Sequence, residues 1–220
     1  MMSSLADRFI AYLEKEDREN AFKLCMDALE AGEISIPDLY ETVLAPALNR
    51  AAAITDRADE AIWQEHVMSS IVRGIVESAY PYVMKERASG QLACDERVLV
   101  FCPPGEDHEI GARMAADFFL IWGYKATFIG ANTPEKTLMN AIERVAPRYL
   151  CISVSNDFNL FAAKRMIAGL RARFGSGMTI LVGGRAFERD DRTWSEIGAD
   201  RRLIRFTDIG TLRSGTEGQS

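Results

Sequence analysis

The residues with the clearest potential for chemistry form a short loop after an apolar run, Val98 to Phe101. The loop carries Glu106, Asp107 and His108, and His108 is one of only two histidines in the chain. An acidic side chain beside a histidine can hydrogen-bond one ring nitrogen, which fixes the tautomer and leaves the other nitrogen to bind a metal. A lone histidine at a loop–helix junction is more often a solvated or capping residue, so the metal-binding interpretation depends on residues elsewhere in the chain.

Two further segments are predicted to lie at the same edge of a sheet as this loop. Ser153, Val154 and Ser155 end a third apolar strand, and Gly183 and Gly184 end a fourth. In an open α/β sheet the carboxyl ends of the parallel strands share one edge, and ligands bind there. Glycine has no Cβ, so the glycine pair would let the backbone approach a ligand closely.

The three segments together resemble the signature of the cobalamin-binding domain, which is an Asp-x-His-x-x-Gly loop, a Ser-x-Leu strand end and a Gly-Gly pair. The loop reads Glu106-x-His108-x-x-Gly111 here, and 41 and then 27 residues separate the three segments. The sequence departs from the signature twice, with Glu in place of Asp and Ser in place of Leu. The resemblance is good over about residues 97–207 and looser over the first ninety residues.

The resemblance implies that cobalamin is the cofactor and that His108 is the lower ligand of its cobalt, with the cofactor's own benzimidazole arm displaced. That arm would run between the sheet and the helices, past the serine and glycine segments. The implied cofactor-binding residues in this part of the chain are Glu106, Asp107, His108, Ile110, Gly111, Ser153, Val154, Ser155, Gly183, Gly184 and Arg185, and the implied metal ligand is His108.

The second histidine belongs to a stretch with helical periodicity, Trp63-Gln64-Glu65-His66. Trp63 and His66 are three residues apart and therefore share a helix face. Two interpretations remain open. In the first, Trp63 is an ordinary core residue and His66 a partly exposed neighbour. In the second, this face covers the upper side of the corrin ring, in a site between two domains.

A four-helix bundle ahead of a cobalamin domain occurs in corrinoid methyl carriers and in light-sensing cobalamin regulators of the CarH type. The segment Gln64 to His66 looks like the one that contacts the upper axial group in the regulators. This similarity makes Trp63, Glu65 and His66 candidate cofactor contacts. The segment Arg185 to Phe187, directly after the glycine pair, also resembles the regulators.

The sequence departs from the regulators ten residues before Glu65. The regulators have a tryptophan there, beside a histidine that can bind cobalt after light breaks the upper bond. This chain has Thr55 and Asp56 at those positions. Capture of cobalt by a second histidine is therefore not supported at that point, and His66 as an axial ligand remains an alternative.

The pattern along the chain predicts an α/β fold in two domains. Residues 1–88 show helical periodicity with short connections, which favours a four-helix bundle whose fourth helix extends from about Ala58 to Lys85. Residues 97–208 alternate between strands and helices, which predicts a doubly wound, Rossmann-like parallel sheet of five strands. Residues 209–220 are predicted to form a flexible tail, without the closing helix that commonly follows the fifth strand in the family. The predicted strands are Arg97–Cys102, Ala126–Ile129, Tyr149–Ser155, Thr179–Val182 and Arg202–Phe206.

The composition is that of a globular protein and argues against several classes of function. Hydrophobic residues make up 48% and charged residues 26% of the 220 residues, as in an ordinary globular protein. A net charge of −6 opposes direct binding to nucleic acid, and no apolar stretch is long enough to cross a membrane. The acidic amino terminus does not resemble a secretory signal, and the four cysteines lack metal-ligand spacing, so a cytoplasmic location is expected. The sequence lacks the nucleophile elbow of a hydrolase and the phosphate-binding glycine motif of a dehydrogenase.

Three functional hypotheses follow from the resemblance. The first is a non-catalytic cobalamin sensor, similar to a photoreceptor that regulates transcription, with adenosylcobalamin as the expected cofactor and methylcobalamin as an alternative. Because the chain begins with the bundle and shows no DNA-binding module, such a sensor would act through a protein partner or a change of its own oligomeric state. The second hypothesis is a corrinoid methyl carrier of a methyltransferase system. The third is a sensor that binds heme or biliverdin alongside or instead of cobalamin.

Overall fold

The chain divides into two units between Glu86 and Arg87 in a computed structural model that describes residues 4–55, 62–90 and 94–214. The first unit is helical and the second is α/β, so the predicted fold class is confirmed. The helical elements of the first unit are α1 (Leu5–Leu13), α2 (Arg18–Glu30), α3 (consecutive segments Ile36–Asp38, Leu39–Leu44 and Ala45–Thr55), α4 (Ile62–Ser78) and α5 (Tyr80–Ser89). The elements of the second unit are β1 (Arg97–Phe101), α6 (Ile110–Ile121), β2 (Lys125–Gly130), α7 (Glu135–Val145), β3 (Tyr149–Ser153), α8 (Leu160–Phe174), β4 (Thr179–Gly183), α9 (Thr193–Glu196), β5 (Arg201–Arg202) and α10 (Phe206–Ser214).

The helices of the first unit bury one apolar face each, as their periodicity predicts. Phe9 and Leu13 of α1 are fully buried, as are Tyr40 of α3 and Ile75 of α4. The start of α1 is fixed by a capping box, in which Ser4 accepts a hydrogen bond from the Asp7 main-chain nitrogen and Asp7 accepts one in return. Such reciprocal bonds satisfy amide groups that the helix itself leaves without partners.

Two prolines interrupt the regular helices. The segment Leu39–Leu44 of α3 is a π-helix, and Pro46 follows it. The predicted single helix from about Ala58 to Lys85 is wrong at one point, because α4 ends at Ser78 and α5 starts at Tyr80. Pro81 explains the break, since a proline ring clashes with the carbonyl four residues earlier and donates no hydrogen bond. The predicted start of that helix lies outside the described residues.

The second unit is built on a parallel sheet with strand order β2-β1-β3-β4-β5. This order, with helical connections, is the doubly wound arrangement that the alternation of strands and helices predicts. Successive strand residues point to opposite faces. Leu99 and Leu150 therefore pack on one face, with α7 and α8, while Val98 and Cys151 pack on the other, with α6 and α10.

The predicted flexible tail is wrong for residues 209–214, which belong to the helix α10. Ile209 and Leu212 are buried against the sheet, and the Trp122 indole nitrogen donates a hydrogen bond of 2.9 Å to the Phe206 carbonyl. A Cβ on Gly210 would lie 2.5 Å from the Trp122 ring, so only a glycine fits at this crossing without a shift of the ring. Residues 215–220 lie outside the described part of the chain.

The fifth strand is shorter than predicted because the chain turns toward α10, a helix that the sequence does not predict. Pairing with β4 covers Arg201 and Arg202 only. The Asp208 carboxylate then accepts hydrogen bonds from the main-chain nitrogens of Ile204, at 2.7 Å, and Arg205, at 2.8 Å. This carboxylate caps the amino terminus of α10, as in one half of a capping box, so the chain leaves the strand after Arg202 and enters the helix at Phe206. Over the residues that the structure describes, no helix has the length and apolar character required to cross a membrane.

Candidate cofactor-binding site

The strand ends that the sequence singles out lie at one edge of the sheet. Phe101, the last residue of β1, pairs with Gly130 of β2 and Ile152 of β3. Ser153, the last residue of β3, pairs with Gly183 of β4. The loops after these strands therefore emerge side by side at the carboxyl edge, where ligands bind in doubly wound sheets. The expected convergence of the three segments is confirmed.

Glu106 connects two of the loops at this edge. Its side chain is fully buried and contacts both of them. Its Oε1 atom lies 2.6 Å from the His108 Nδ1 atom and accepts a hydrogen bond of 3.0 Å from the His108 main-chain nitrogen. Its Oε2 atom accepts three hydrogen bonds from the loop after β3. The donors are the main-chain nitrogens of Ser155 and Asn156, both at 2.9 Å, and the Asn159 side-chain nitrogen, at 3.1 Å.

These contacts decide the ionisation of Glu106. Burial, which is the largest influence, would raise the pKa of the carboxyl group, but hydrogen bonds from His108, Asn156 and Asn159 outweigh it. They hold the pKa at about 2, below the usual 4.5. Glu106 is therefore a buried carboxylate at neutral pH, stabilised by N–H groups rather than by a neighbouring cation.

The Glu106 carboxylate fixes the orientation of the His108 ring. A carboxylate accepts hydrogen bonds, so the Nδ1 atom carries the proton and the lone pair of the neutral ring lies on Nε2. The His108 side chain is 54% exposed, so the ring is accessible at the edge of the sheet although its partner is buried. An oriented imidazole that donates from one nitrogen and presents the other is the usual arrangement of a metal-ligating histidine. The residues present thus fit a metal-containing cofactor that binds from above this edge.

A second set of contacts joins the loop after β1 to the loop after β2. The Asn132 side chain accepts a hydrogen bond of 2.8 Å from the Gly105 main-chain nitrogen, and the Asn132 main-chain nitrogen donates one of 2.9 Å to the Glu106 carbonyl. The Glu109 carboxylate accepts one of 3.0 Å from the Ala131 main-chain nitrogen. Gly105 and Asn132 both have positive φ, at 85° and 46°, which glycine and asparagine adopt most readily. The turn that carries His108 is therefore held from both sides.

The glycine pair at the end of β4 is required by the packing of the protein itself, in addition to the approach to a ligand that the sequence suggests. A Cβ on Gly184 would lie 2.4 Å from the Val154 carbonyl oxygen, and the φ of Gly184 is 99°. The Val154 main-chain nitrogen donates to the Gly183 carbonyl, and the Ala186 nitrogen donates to the Val154 carbonyl. The close approach that requires glycine at position 184 is thus between two loops of the protein itself.

The other predicted contact residues of this unit lie along the same edge. Asp107 is exposed and Arg185 is partly exposed, whereas Ile110 is nearly buried at the start of α6. A Cβ on Gly111 would meet no atom within 4 Å, so the space beside it is open. Their roles in binding a cofactor stay predictions.

In the helical unit, Trp63 and His66 lie on the exposed side of α4. Trp63 is 55% exposed and the His66 side chain 73% exposed, so the interpretation of Trp63 as a core residue is wrong. Glu65 is mostly buried and accepts a hydrogen bond of 2.6 Å from the Ser69 hydroxyl. The positions where the regulators have their tryptophan and second histidine give no structural test, because the Thr55 side chain and Asp56 lie outside the described part.

Within the described part of the chain, the cysteines belong to no metal-binding cluster. All four are free thiols, and the described residues contain no group of three or more His, Cys, Asp or Glu side chains that could hold a metal ion. Cys102 is buried below the site, with its sulfur 3.7 Å from the His108 carbonyl oxygen. Burial, and then the charge of Glu106, raise the pKa of the Cys102 thiol, so it stays protonated.

The sequence reasoning missed three asparagines: Asn132, Asn156 and Asn159. Each binds the loop that carries Glu106 through its side chain or its main chain. Asn156 also accepts a hydrogen bond from the Phe158 nitrogen. Asparagine after a strand is common in turns, and no local pattern distinguishes these three from ordinary turn residues.

A family model and a curated protein match this chain. A family model described as the B12 binding domain matches residues 96–208. The HTH-type transcriptional repressor CarH of Myxococcus xanthus is 26% identical over 163 residues, which are 73% of this chain and 52% of the repressor. The chain therefore spans about half the length of this curated relative.

Two solved structures have the same fold. The monomethylamine corrinoid protein of Methanosarcina barkeri matches with a TM-score of 0.75 and 15% identity, over 96% of this chain and 98% of that one. The methanol:cobalamin methyltransferase complex MtaBC of the same organism contains a chain that matches with a TM-score of 0.51 and 15% identity, over 98% of this chain and 80% of that one.

Proposed function

The chain belongs to the B12-binding domain family, and from this premise we propose that it binds cobalamin with His108 as the lower ligand of the cobalt. The observation that carries the proposal is the distance of 2.6 Å between the buried Glu106 carboxylate and the His108 Nδ1 atom. This contact leaves Nε2 as the nitrogen with a lone pair, on a ring that solvent reaches. The open space beside Gly111 and the strand ends at Ser153 and Gly183 are the proposed surroundings of the cofactor.

The proposed role is that of a cobalamin sensor without catalytic turnover. It is supported by the 26% identity with a transcriptional repressor over 73% of this chain. Trp63, Glu65 and His66 are the proposed contacts on the upper side of the cofactor, and the exposure of Trp63 supplies a large aromatic surface for such a contact. When bound, adenosylcobalamin would supply a cobalt–carbon bond that light can break. The output would pass through a protein partner or through a change in oligomeric state.

A methyl carrier is the second candidate function. It is favoured by the monomethylamine corrinoid protein, because the match extends over 96% of this chain and therefore includes the helical unit. A carrier must expose the upper side of its corrinoid to a methyltransferase. A bulky Trp63 on that side would oppose this function unless the helical unit moves.

Absorption spectra of the purified full chain test the binding proposal. The protein is mixed in the dark with adenosylcobalamin, methylcobalamin, heme or biliverdin. We expect both cobalamins to bind with the spectrum of a displaced benzimidazole and a histidine ligand, and His108→Ala to lose the histidine ligand. Binding of heme or biliverdin without any binding of cobalamin would overturn the proposal.

A second experiment distinguishes the two roles. The adenosylcobalamin-loaded protein is illuminated with green light, and its spectrum and molar mass in solution are recorded before and after. A sensor should change both, or change its capture of a partner. Unchanged spectra and molar mass, together with methyl transfer from monomethylamine or methanol in the presence of a methyltransferase, would favour the carrier.

A further inference from the structure

Two phenylalanines after β3 are more exposed than any other large apolar side chain that the structure describes. Phe158 is 89% exposed and Phe161 is 70% exposed. Phe158 lies in a single helical turn, residues 157–159, and Phe161 in the first turn of α8, which follows it directly. Residues three apart along such a path share a face. Adjacent exposed aromatic side chains indicate a surface that binds a partner.

We propose that these phenylalanines and the outer side of α8 form a docking surface for an acidic amphipathic helix of a protein partner. The surface, called the α8 face below, consists of exposed residues at helical spacing: Phe158, Phe161, Lys164, Arg165, Ala168 and Ala172. It would serve the protein partner of the proposed sensor, and its contact with a helix does not itself require bound cobalamin.

Polar contacts hold the turn that carries Phe158. The Phe158 main-chain nitrogen donates a hydrogen bond of 3.1 Å to the Asn156 side-chain oxygen. The Asp157 carboxylate forms an ion pair of 2.6 Å with Arg189, which belongs to the loop after β4. The Asn156 main-chain nitrogen donates to the buried Glu106 carboxylate at 2.9 Å. A partner would therefore meet a surface whose backbone is already ordered, which lowers the entropic cost of binding.

The positive charge of the α8 face determines the chemistry of its partner. Helix α8 contains four basic residues and no acidic residue. Arg171 and Arg173 form ion pairs with carboxylates of neighbouring elements. Lys164 and Arg165 are exposed, and neither has an ionic or hydrogen-bonded partner among the residues that the structure describes. A partner that covers this face therefore needs acidic side chains opposite these two cations.

The second half of the α8 face suits the close packing of another helix. Ala168 and Ala172 continue the face beyond the cations, and small side chains allow two helix axes to approach closely. The basic part ends here, because a Cβ on Gly169 would lie 2.8 Å from the Glu135 Oε1 atom of α7. The complementary helix thus has apolar residues against the phenylalanines, acidic residues against the cations, and neutral residues beyond them.

This combination favours a protein helix over a lipid surface. Helices that lie on membranes combine a broad apolar stripe with many cations. The α8 face instead ends in two alanines, and the Glu135 carboxylate lies beside it. The net charge of −6 also opposes the approach of the whole chain to anionic lipids.

Two designed helical peptides of equal length serve as probes. Both carry the same face of leucine and alanine, and the flanking positions are glutamate in one peptide and lysine in the other. Fluorescence anisotropy of the labelled peptides measures binding to the full chain without cobalamin. We expect the acidic peptide to bind at least about tenfold more tightly than the basic one. Its affinity should fall between about 0.1 M and about 1 M salt, because salt screens exposed charges.

Two double variants test the two parts of the α8 face. Phe158→Ser with Phe161→Ser should weaken binding of the acidic peptide by at least about tenfold, because aromatic anchors supply much of the binding energy at interfaces. Lys164→Glu with Arg165→Glu should weaken it by about three- to tenfold and tighten binding of the basic peptide. Such a reversal of preference requires that the peptide contacts these two positions.

A matched control removes an apolar side chain and a cation elsewhere. Ile204→Ser with Arg205→Glu changes two exposed residues ahead of α10, outside the α8 face, and should bind the acidic peptide as the wild type does. Urea unfolding shows whether each variant folds. If the phenylalanine variant does not fold, the charge variant decides the outcome.

Equal binding of the two peptides to the wild type, or wild-type binding of the acidic peptide to both double variants, would overturn the proposed surface. Binding of phosphatidylserine vesicles without binding of the acidic peptide would assign the α8 face to lipid instead. Self-association that the phenylalanine variant loses, again without peptide binding, would assign it to a second copy of this chain. Because these measurements use protein without cobalamin, a failure of histidine ligation in the absorption spectra would overturn the proposed cofactor site and leave this surface standing.

Discussion

At the scale of single residues, the two carboxylate oxygens of Glu106 have different roles. One oxygen orients the His108 ring, and the other binds the loop after β3. The pair of an acid and a histidine two residues apart could be predicted from the sequence, because the local motif contains both. The asparagines could not, because Asn159 is 53 residues away from Glu106 in the chain and meets it only in the folded sheet.

Replacement of His108 by alanine should abolish histidine ligation of the cobalt while the protein still folds. The His108 side chain is half exposed and lies at the edge of the sheet, so we expect a loss of unfolding free energy of about 1–2 kcal/mol, mainly from the hydrogen bond to Glu106. The histidine-ligated spectrum with cobalamin should disappear. Urea unfolding and absorption spectra measure the two effects. A variant that still shows histidine ligation would point to His66 instead.

The stability of the protein should depend on pH through Glu106. Burial opposes ionisation, but hydrogen bonds hold its pKa at about 2, against the usual 4.5 that applies to the unfolded chain. A lowered pKa in the folded state means that the stabilisation is complete above pH 4.5 and is lost as the pH falls toward 2. The loss amounts to roughly 1.4 kcal/mol per pH unit within that window.

Glu106→Gln tests this dependence, because glutamine does not ionise. Urea unfolding at pH 6 and pH 3 should show the wild type more stable than the variant at pH 6, with the gap reduced by about 2 kcal/mol at pH 3. A gap that is equal at both pH values would show that Glu106 does not titrate in this way.

At the scale of elements, the strands and the sheet edge follow from the sequence, whereas the last helix does not. Parallel strands are continuous apolar runs, and β3 is buried along its whole length. Helix α10 combines a Gly and several polar residues, so its periodicity is weak. It is stabilised by Trp122, which is distant in the sequence. Only tertiary contacts of this kind distinguish a docked terminal helix from a loose end.

Two glycines at the sheet edge should respond to alanine in opposite ways. Gly184→Ala forces a Cβ to within 2.4 Å of the Val154 carbonyl at a positive φ, so we expect a loss of at least about 2 kcal/mol of unfolding free energy. Gly111→Ala meets no atom within 4 Å and lies in a helix, so stability should hold or rise by about 0.5–1 kcal/mol.

For Gly111, the affinity for cobalamin should respond differently from the stability of the protein. If the corrin lies beside the open space there, Gly111→Ala should weaken cobalamin binding in absorption titrations while urea unfolding stays normal. Wild-type affinity in that variant would show that the cofactor does not approach position 111.

Gly210→Ala should weaken the packing of α10 against Trp122 and lower the unfolding free energy. The added Cβ would lie 2.5 Å from the Trp122 ring, and an aromatic ring in a packed cluster moves at a cost of about 1–3 kcal/mol. Urea unfolding and the fluorescence of the tryptophans measure the change. Thr211→Ala is the control, since Thr211 is exposed on the same helix and its hydroxyl donates a hydrogen bond to the nearby Asp208 carbonyl. Equal stability of the two variants would contradict the tight fit at Gly210.

At the scale of the whole molecule, the two units differ in charge. Residues 1–86 carry 16 acidic and 8 basic side chains, while residues 87–220 carry 16 acidic and 18 basic ones. The division into a helical and an α/β unit is visible in the sequence, because the hydrophobic period changes between them. The exposure of Trp63 is not encoded in any local pattern, since helical periodicity also fits a buried tryptophan at this position.

Hydrogen exchange can test whether both units contact the cofactor. With adenosylcobalamin at a hundred times its dissociation constant, mass action stabilises a binding unit by about 2.7 kcal/mol. We expect slower exchange in the loop of His108 and also in α4 around Trp63. Trp63→Ala should reduce the protection of α4 and leave that of the loop. Protection confined to residues 87–220 would contradict a contact with α4.

The length of the Glu106 side chain has an evolutionary consequence. Its Oε1 atom contacts the His108 ring while its Oε2 atom accepts three hydrogen bonds from the loop after β3, so one side chain connects two loops at the sheet edge. A change of side-chain length at position 106 should therefore be accompanied, among related sequences, by changes in the loop after β3. A transplant of this turn into another sheet would need the loop after β3 as well, because that loop supplies the hydrogen-bond donors to Oε2.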